Sequence, residues 1–344
     1  MSVFPDYEPS TPEHVAALPD AVDPFALSLN ENPFAPLPAV QSALVAAVAA
    51  ANRYPEFLPH RLRGLIASRI GVSEEQVVIG AGATGVALQV LRAVTSPGDR
   101  IVLTSPTFDG YPIFAQMARL ISVSVPLDEH GHHDLDALAD AAATAKVVVL
   151  CRPHNPTGTL EPAEDVEYFL SRVPSDTVVL LDEAYIEFVA PEHRLNAIDV
   201  VQRYPNVVVL RTFSKAYGLA GMRIGYGFGA PELAKSLWTM QLPFGIGITS
   251  AVAVAASYDA EAQLQQRIRF VTNERRFLQR RLRSMGIYHT DSHANFVYLP
   301  ARAGQSWREA FDAAGVRARH YADGGVRVTI GSRASTRAVL AALT

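Results

Sequence analysis

Six short apolar runs rich in valine and isoleucine, at 77–79, 101–103, 121–125, 147–150, 178–181 and 207–210, alternate with stretches of helical period. The helical stretches include 85–94, 135–143 and 164–172, where apolar residues recur three and four apart. A short apolar run without polar alternation is buried on both faces, as strands of a parallel sheet covered by crossover helices are. The alternation predicts an α/β fold with a mostly parallel, doubly covered sheet. Beyond residue 230 the texture changes: helical patterns at 251–257 and 261–285 precede short strands at 295–299, 316–319 and 326–330 and a closing helix. This predicts a smaller α+β lobe. The first 25 residues, with Pro5, Pro9, Pro12, Pro19 and Pro24, predict an extended arm. The expected organisation is an arm at 1–25, a large domain at 26–230 and a small domain at 231–344, with no internal repeat.

Composition bounds the partners. A chain of 344 residues, 49% apolar, can bury a large core in two lobes. With 30 basic against 34 acidic side chains and a net charge of −4, neither nucleic acid nor an anionic membrane is the expected partner. The one cysteine, Cys151, excludes an internal disulfide framework and fits a reducing cytoplasm. The first 23 residues lack the apolar core of a secretory signal. The alanine/valine stretch at 40–51 is too short to span a bilayer and reads as a helix.

Chemistry-bearing residues fall at the ends of the predicted strands, where open α/β sheets bind ligands. After 77–79 comes Gly80-Ala81-Gly82-Ala83-Thr84-Gly85, a glycine-rich turn into a helix whose free N–H groups suit a phosphate. It has neither the dinucleotide nor the P-loop spacing, and alone it is an ordinary turn. After 147–150 comes Arg152-Pro153-His154-Asn155-Pro156-Thr157-Gly158, in which two prolines fix the backbone around Asn155. After 178–181 comes Asp182-Glu183-Ala184-Tyr185. A carboxylate at the end of an apolar strand is costly to bury without a cation, although Asp182 alone could equally cap a helix. After 207–210 comes Arg211-Thr212-Phe213-Ser214-Lys215, followed by Arg223. A lysine is nucleophilic only where its proton can be removed. Together these groups supply what pyridoxal phosphate requires: a phosphate cradle, an anion for the pyridine nitrogen, donors for the ring hydroxyl and a lysine for an imine.

From Leu27 onward the chain resembles the fold-type-I, class I/II pyridoxal-phosphate aminotransferases, in the branch of histidinol-phosphate and aromatic amino acid aminotransferases. The resemblance rests on Leu29-Asn30-Glu31-Asn32-Pro33, Arg53-Tyr54-Pro55, Ser105-Pro106-Thr107-Phe108, His154-Asn155-Pro156-Thr157-Gly158, Asp182-Glu183-Ala184-Tyr185, Ser214-Lys215, Gly221-Met222-Arg223, Asn295-Phe296 and Arg327-Val328-Thr329-Ile330-Gly331. It implies that Lys215 holds the cofactor as an imine and then moves the proton between Cα and C4′. Asp182 would keep the pyridine nitrogen protonated, Asn155 and Tyr185 would bond the ring oxygen, and Phe108 would stack on the ring. Ala83, Thr84, Thr212, Ser214 and Arg223 would hold the phosphate. Tyr54 would reach the phosphate of a neighbouring subunit, implying a homodimer with shared sites. Arg319 and Arg327 would grip the anionic end of the substrate, with Asn30 near it; guanidinium suits carboxylate and phosphate alike.

Some positions depart from the family pattern. His154 stands where asparagine is frequent, Thr84-Gly85 replaces a common acidic pair, and Tyr7 is a poor match for a tyrosine that some members carry in the arm. Other features have plain readings. His130-Gly131-His132-His133 has no companion cluster for a metal and reads as a solvated turn. Arg275, Arg276, Arg280, Arg281 and Arg283 read as the wet face of a long helix. Cys151 reads as a packed small residue.

The expected function is transamination between an aromatic, phenylalanine-type amino acid and 2-oxoglutarate, since 206–226 is closer to the phenylalanine-type members. Histidinol phosphate is the alternative donor, and a pyridoxal-phosphate decarboxylase is a rival with the same cofactor shell. A transaminase-like sensor fused to a DNA-binding module is disfavoured by the short proline-rich arm and the acidic charge.

Overall fold

The computed structural model describes residues 18–301, 303–304 and 306–344. Most of the arm expected over 1–25, Tyr7 included, lies outside the described residues.

Seven strands form the main sheet: β1 (Val77–Gly80), β2 (Arg100–Ser105), β3 (Ile121–Pro126), β4 (Val147–Cys151), β5 (Val178–Asp182), β6 (Val207–Thr212) and β7 (Gly225–Gly229). Their spatial order is β1-β7-β6-β5-β4-β2-β3. Every pairing from β6 to β3 is parallel, while β7 runs antiparallel to both β6 and β1. All six predicted strands form, and β4 is buried at every residue, as a strand covered on both faces must be. Strand β7, with the sequence Gly-Tyr-Gly-Phe-Gly, had no valine or isoleucine pattern to reveal it. Its glycines let a helix approach: a Cβ on Gly225 would lie 2.4 Å from the backbone nitrogen of Ala83.

Helices α1 (Pro38–Val48), α2 (His60–Ile70), α3 (Gly82–Val94), α4 (Gly110–Met117), α5 (Leu135–Ala142), α6 (Ala163–Arg172), α7 (Ala197–Arg203) and α8 (Pro231–Trp238) accompany these strands. Helices α9 (Ile248–Asp259) and α10 (Glu261–Ser284) follow, with α11 (Trp307–Ala313) and α12 (Arg333–Ala342) near the end of the chain. Strands β8 (Phe296–Leu299), β9 (Arg319–His320) and β10 (Val326–Thr329) form a separate antiparallel sheet in the order β8-β10-β9. Two buried apolar clusters cover the faces of the main sheet. Val78, Val149, Leu180 and Leu210 pack on one side, and Ile79, Val148, Leu181 and Val209 on the other, as the two-residue period of a strand requires. Among the described residues, no helix is long and apolar enough to cross a membrane.

Two expectations are corrected. Arg275 is not part of the wet face of α10: it is 4% exposed and donates to the Ala294 carbonyl at 2.6 Å. Burial lowers its pKa to about 10. Arg276, Arg280, Arg281 and Arg283 are exposed, as read. In the histidine-rich turn His130 is solvated, but His133 is buried against His154, with ring centroids 4.5 Å apart, and its Nε2 lies 3.0 Å from the Cys151 carbonyl oxygen. Among the described residues no cluster could hold a metal ion.

Beside the end of β5, Glu183 is fully buried and accepts two hydrogen bonds from Arg211 on β6, at 3.0 and 2.7 Å. Removing one partner of such a pair strands the other without compensation. Glu183→Ala should lower the unfolding free energy by about 3 kcal/mol in urea titrations. A loss below about 1 kcal/mol, the value of an exposed pair, would contradict this account.

Candidate active site

Parallel strands in register end together. Cys151 pairs with Asp182, Asp182 with Leu210, and Gly225 with both Thr212 and Gly80, so β1, β4, β5 and β6 deliver their last residues to one edge. A cleft of about 390 Å³ lies along that edge. Asn30, Ala83, Thr84, Phe108, Asn155, Asp182, Tyr185, Thr212, Ser214, Lys215, Arg223, Arg319 and Arg327 all line it. Tyr54 does not: it is 82% exposed and rests on Phe244, ring centroids 4.8 Å apart.

One end of the cleft is built for an anion. The N-cap of α3 is Ala81, which has no side-chain acceptor, so the first-turn N–H groups at Ala83 and Thr84 face the cleft at the positive end of a helix dipole. The predicted helix start at residue 85 is in fact at Gly82, whose φ is +76°. A Cβ on Gly82 would lie 2.6 Å from Arg223 Nη2, so a bare glycine lets the guanidinium lie against the turn. Arg223 itself has φ +50°, a left-handed conformation uncommon outside glycine. Its Nη2 donates to the Ala81 carbonyl at 3.3 Å and to Thr84 Oγ1 at 3.4 Å. Across from it the Thr212 hydroxyl donates to Ser214 Oγ at 3.0 Å.

At the centre, Asp182 lies at the end of β5 and no helix begins on it, so it is not an N-cap. Burial raises its pKa, opposed by a 2.6 Å bond from the Tyr111 hydroxyl and one from the Ala184 N–H at 3.0 Å. No cation pairs with it among the described residues, leaving an anion that a protonated ring nitrogen would satisfy. Cys151 Sγ, 3.9 Å from Asp182 Oδ2, is buried, and its pKa is pushed well up by desolvation. It behaves as a packed thiol. Phe108 meets Tyr111 edge-on at 5.8 Å and forms an apolar wall.

Lys215 extends from the loop after β6 into the cleft, and its Nζ donates to the Leu29 carbonyl at 2.9 Å. Desolvation, helped by the charge of Arg327, lowers its pKa from 10.5 to about 8. Tyr185 accepts from Asn30 Nδ2 at 2.9 Å and from Asn155 Nδ2 at 3.4 Å, and burial raises its pKa. Asn30, at φ +55°, spends its amide on Tyr185 and on Thr329 rather than presenting it to the opening. Arg327 is 6% exposed and donates to Asn155 Oδ1 and, at 2.7 Å, to the Ser28 carbonyl; its Nε has no partner. All of its bonds go to neutral groups, so a buried cation awaits an anion. Arg319 is held at the cleft mouth by Asp109, Nη2 to Oδ2 2.8 Å.

His154 does not face the cleft. It is fully buried beneath Asn155, bonded to Thr157 Oγ1 at 2.9 Å and Thr104 Oγ1 at 3.3 Å, and desolvation keeps it uncharged. It fixes the loop that carries Asn155. Sequence reasoning missed Tyr111 and Asp109. Both sit at the start of α4, whose Asp-Gly-Tyr-Pro beginning carried no helical period; the position of Tyr111 three residues after Phe108 was the available signal. The residues fit pyridoxal phosphate: the anion cradle, the unpaired Asp182, the apolar wall of Phe108 and the partly deprotonated Lys215 surround one space.

The family model for class I and II aminotransferases matches residues 22–343. A relative from Streptomyces coelicolor, an aromatic amino acid aminotransferase, is 40% identical over 332 residues, covering 95% of this chain and 91% of its own length. The aromatic amino acid aminotransferase of Cutibacterium acnes is also 40% identical, over 92% of this chain and 91% of its own. The crystal structure of histidinol-phosphate aminotransferase from Sinorhizobium meliloti in complex with pyridoxal-5'-phosphate superposes with a TM-score of 0.84 at 29% identity, covering 93% of this chain and 89% of that one. The sheet and its cleft thus have the architecture of fold-type-I enzymes, and this chain belongs to the class I and II aminotransferases, pyridoxal-phosphate enzymes that move an amino group between an amino acid and a 2-oxo acid.

Proposed function

We propose that the amino donor is an aromatic L-amino acid of the phenylalanine type and the acceptor 2-oxoglutarate. One observation carries the donor assignment: apart from Arg223 at the phosphate end, the cleft pairs one guanidinium without an acidic partner, Arg327, with an apolar side formed by Leu29, Phe108 and Phe114. A monoanionic amino acid with a large apolar side chain matches both. The 40% identity to aromatic amino acid aminotransferases supports the same reading.

Pyridoxal phosphate, when bound, supplies an electron sink for the bond broken at Cα. In the proposed mechanism Arg327 would take the α-carboxylate in a charge-assisted bond, and Asn155 and Tyr185 would bond the ring oxygen. Asp182, oriented by the Tyr111 hydroxyl, would keep the pyridine nitrogen protonated. Ala83, Thr84, Thr212, Ser214 and Arg223 would hold the phosphate, and Phe108 would supply an apolar wall for the ring. Lys215 would hold the cofactor through its Nζ and, as a free amine, would be the base that moves the proton between Cα and C4′. Its pKa of about 8 suits a base that must give the proton back near neutral pH. The second substrate retraces these steps, giving a ping-pong reaction.

The working form is proposed to be a homodimer, in which Tyr54, exposed beside Phe57 and Phe244, completes the phosphate site of the partner subunit. The chain divides near residue 230 into a cofactor-binding lobe and a smaller lobe carrying Arg319 and Arg327. A free, buried Cys151 fits a cytoplasmic setting.

Two results test this reading. With 2-oxoglutarate as acceptor, kcat/KM for phenylalanine or tyrosine should exceed that for histidinol phosphate by about tenfold or more. Preference for histidinol phosphate would overturn the donor assignment, and carbon dioxide release without a keto acid would replace transamination by decarboxylation. Lys215→Ala should reduce turnover by about three orders of magnitude or more.

A pH effect isolates Lys215. In cofactor-free protein its folded pKa is about 8 against 10.5 unfolded, so between those values the unfolded chain binds the extra proton and stability rises with pH. Lys215→Met should remove that rise, read as the wild-type minus variant difference in urea midpoints between pH 8 and about 9.5. Parallel curves for the two proteins would place the lysine in an ordinary aqueous setting.

A further inference from the structure

Asp109 occupies the N-cap of α4 yet makes no capping bond. Aspartate is among the preferred residues there because its carboxylate takes up free first-turn N–H groups. Here the carboxylate turns away and accepts from Arg319 Nη2 at 2.8 Å, linking positions 210 apart in the sequence across the mouth of the cleft. Arg319 sits on β9 directly opposite Arg327 on β10. Like charges facing each other across a ladder repel, and the two guanidinium groups resolve this differently. Arg327 is buried on neutral acceptors, while Arg319 is half-exposed and neutralised by Asp109. All three side chains line one cleft. Beyond the phosphate end at Arg223, the cleft therefore holds two anion stations, one free and one already occupied by a carboxylate of the protein.

We propose that Asp109 is a specificity-determining residue, which closes the Arg319 station to substrates with one carboxylate and yields it only to a substrate whose own second anion displaces it. The proposal rests on the reading of the cleft as an aromatic aminotransferase site. An aromatic amino acid engages Arg327 through its α-carboxylate and leaves the Asp109–Arg319 contact closed beside its ring. A dicarboxylate such as 2-oxoglutarate engages Arg327 with one end and takes Arg319 from Asp109 with the other. The contact suits an exchange: it is one hydrogen bond rather than a paired fork, and 45% and 51% of the two side chains remain exposed. Such a pair is weak enough to open without large cost, yet it discriminates between ligands that need it open and ligands that do not. A phosphate monoester donor must displace the same carboxylate, so Asp109 also selects against that donor class.

The test uses the holoenzyme with two unreactive competitive ligands, glutarate with two carboxylates and 3-phenylpropanoate with one. Asp109→Asn keeps the shape and removes the competing charge. It should tighten glutarate by about three- to tenfold and alter 3-phenylpropanoate by less than about twofold. The double variant Asp109→Asn with Arg319→Ala should lose the glutarate gain. Equal shifts for both ligands, weaker glutarate binding in Asp109→Asn, or a gain that survives loss of Arg319 would each overturn the proposal. Because neither ligand is turned over, the result does not depend on the identity of the donor. A glutarate gain in a protein that fails to transaminate phenylalanine would sink the aromatic assignment and leave the gate standing.

Discussion

Parallel strands in register finish along one line, and in this protein that constraint assembles the chemistry. Each crossover helix returns the chain to the far end of the sheet, so β1, β4, β5 and β6 all stop at the same edge. Gly80, Cys151, Asp182 and Thr212 are widely separated in sequence and adjacent in space for that reason alone. The reversed strand β7 adds the glycines that let α3 come close enough to aim its first turn into the cleft. Were the register of any one strand to slip by a residue, its terminal side chain would move to the opposite face of the sheet.

The cleft is electrostatically unfinished. Asp182 is a half-buried acid without a cation, Arg327 a buried cation without an anion, and Lys215 an amine whose charge desolvation disfavours. A fold that served stability alone would pair such groups, as Glu183 and Arg211 are paired only one residue from Asp182. The unpaired ones face a single space, and their charges complement a pyridinium, a carboxylate and an imine-forming aldehyde. The left-handed backbone at Asn30 and Arg223 falls in the same place, which fits strain retained where a ligand requires it.

Much of this was legible in the sequence. The six β-branched runs marked the strands, and their ends marked the site, because a parallel sheet ties those two facts together. What stayed hidden depends on distance in the chain. Arg275 looks like its solvated helical neighbours until the Ala294 carbonyl comes within reach. His133 looks like a loop histidine until His154 and the Cys151 carbonyl enclose it. Tyr111 becomes a partner of Asp182, and Asp109 of Arg319, only when α4 and β9 fold onto the same cleft. Glycine-rich β7 carried no pattern because its contribution is the absence of side chains. Tyr54 was singled out by its family motif alone, and within one chain it stays on the surface against Phe244.

The central claim is that Lys215, and no other amine, carries the cofactor. The chain has three lysines, and both others are exposed: Lys146 pairs with Asp176, and Lys235 lies on α8. Borohydride reduction of the holoenzyme, proteolysis and mass spectrometry would locate the attachment as a stable secondary amine. The account predicts a phosphopyridoxyl mass on the peptide containing Lys215 and none on those containing Lys146 or Lys235. A modified Lys146 or Lys235 with Lys215 unmodified would contradict it.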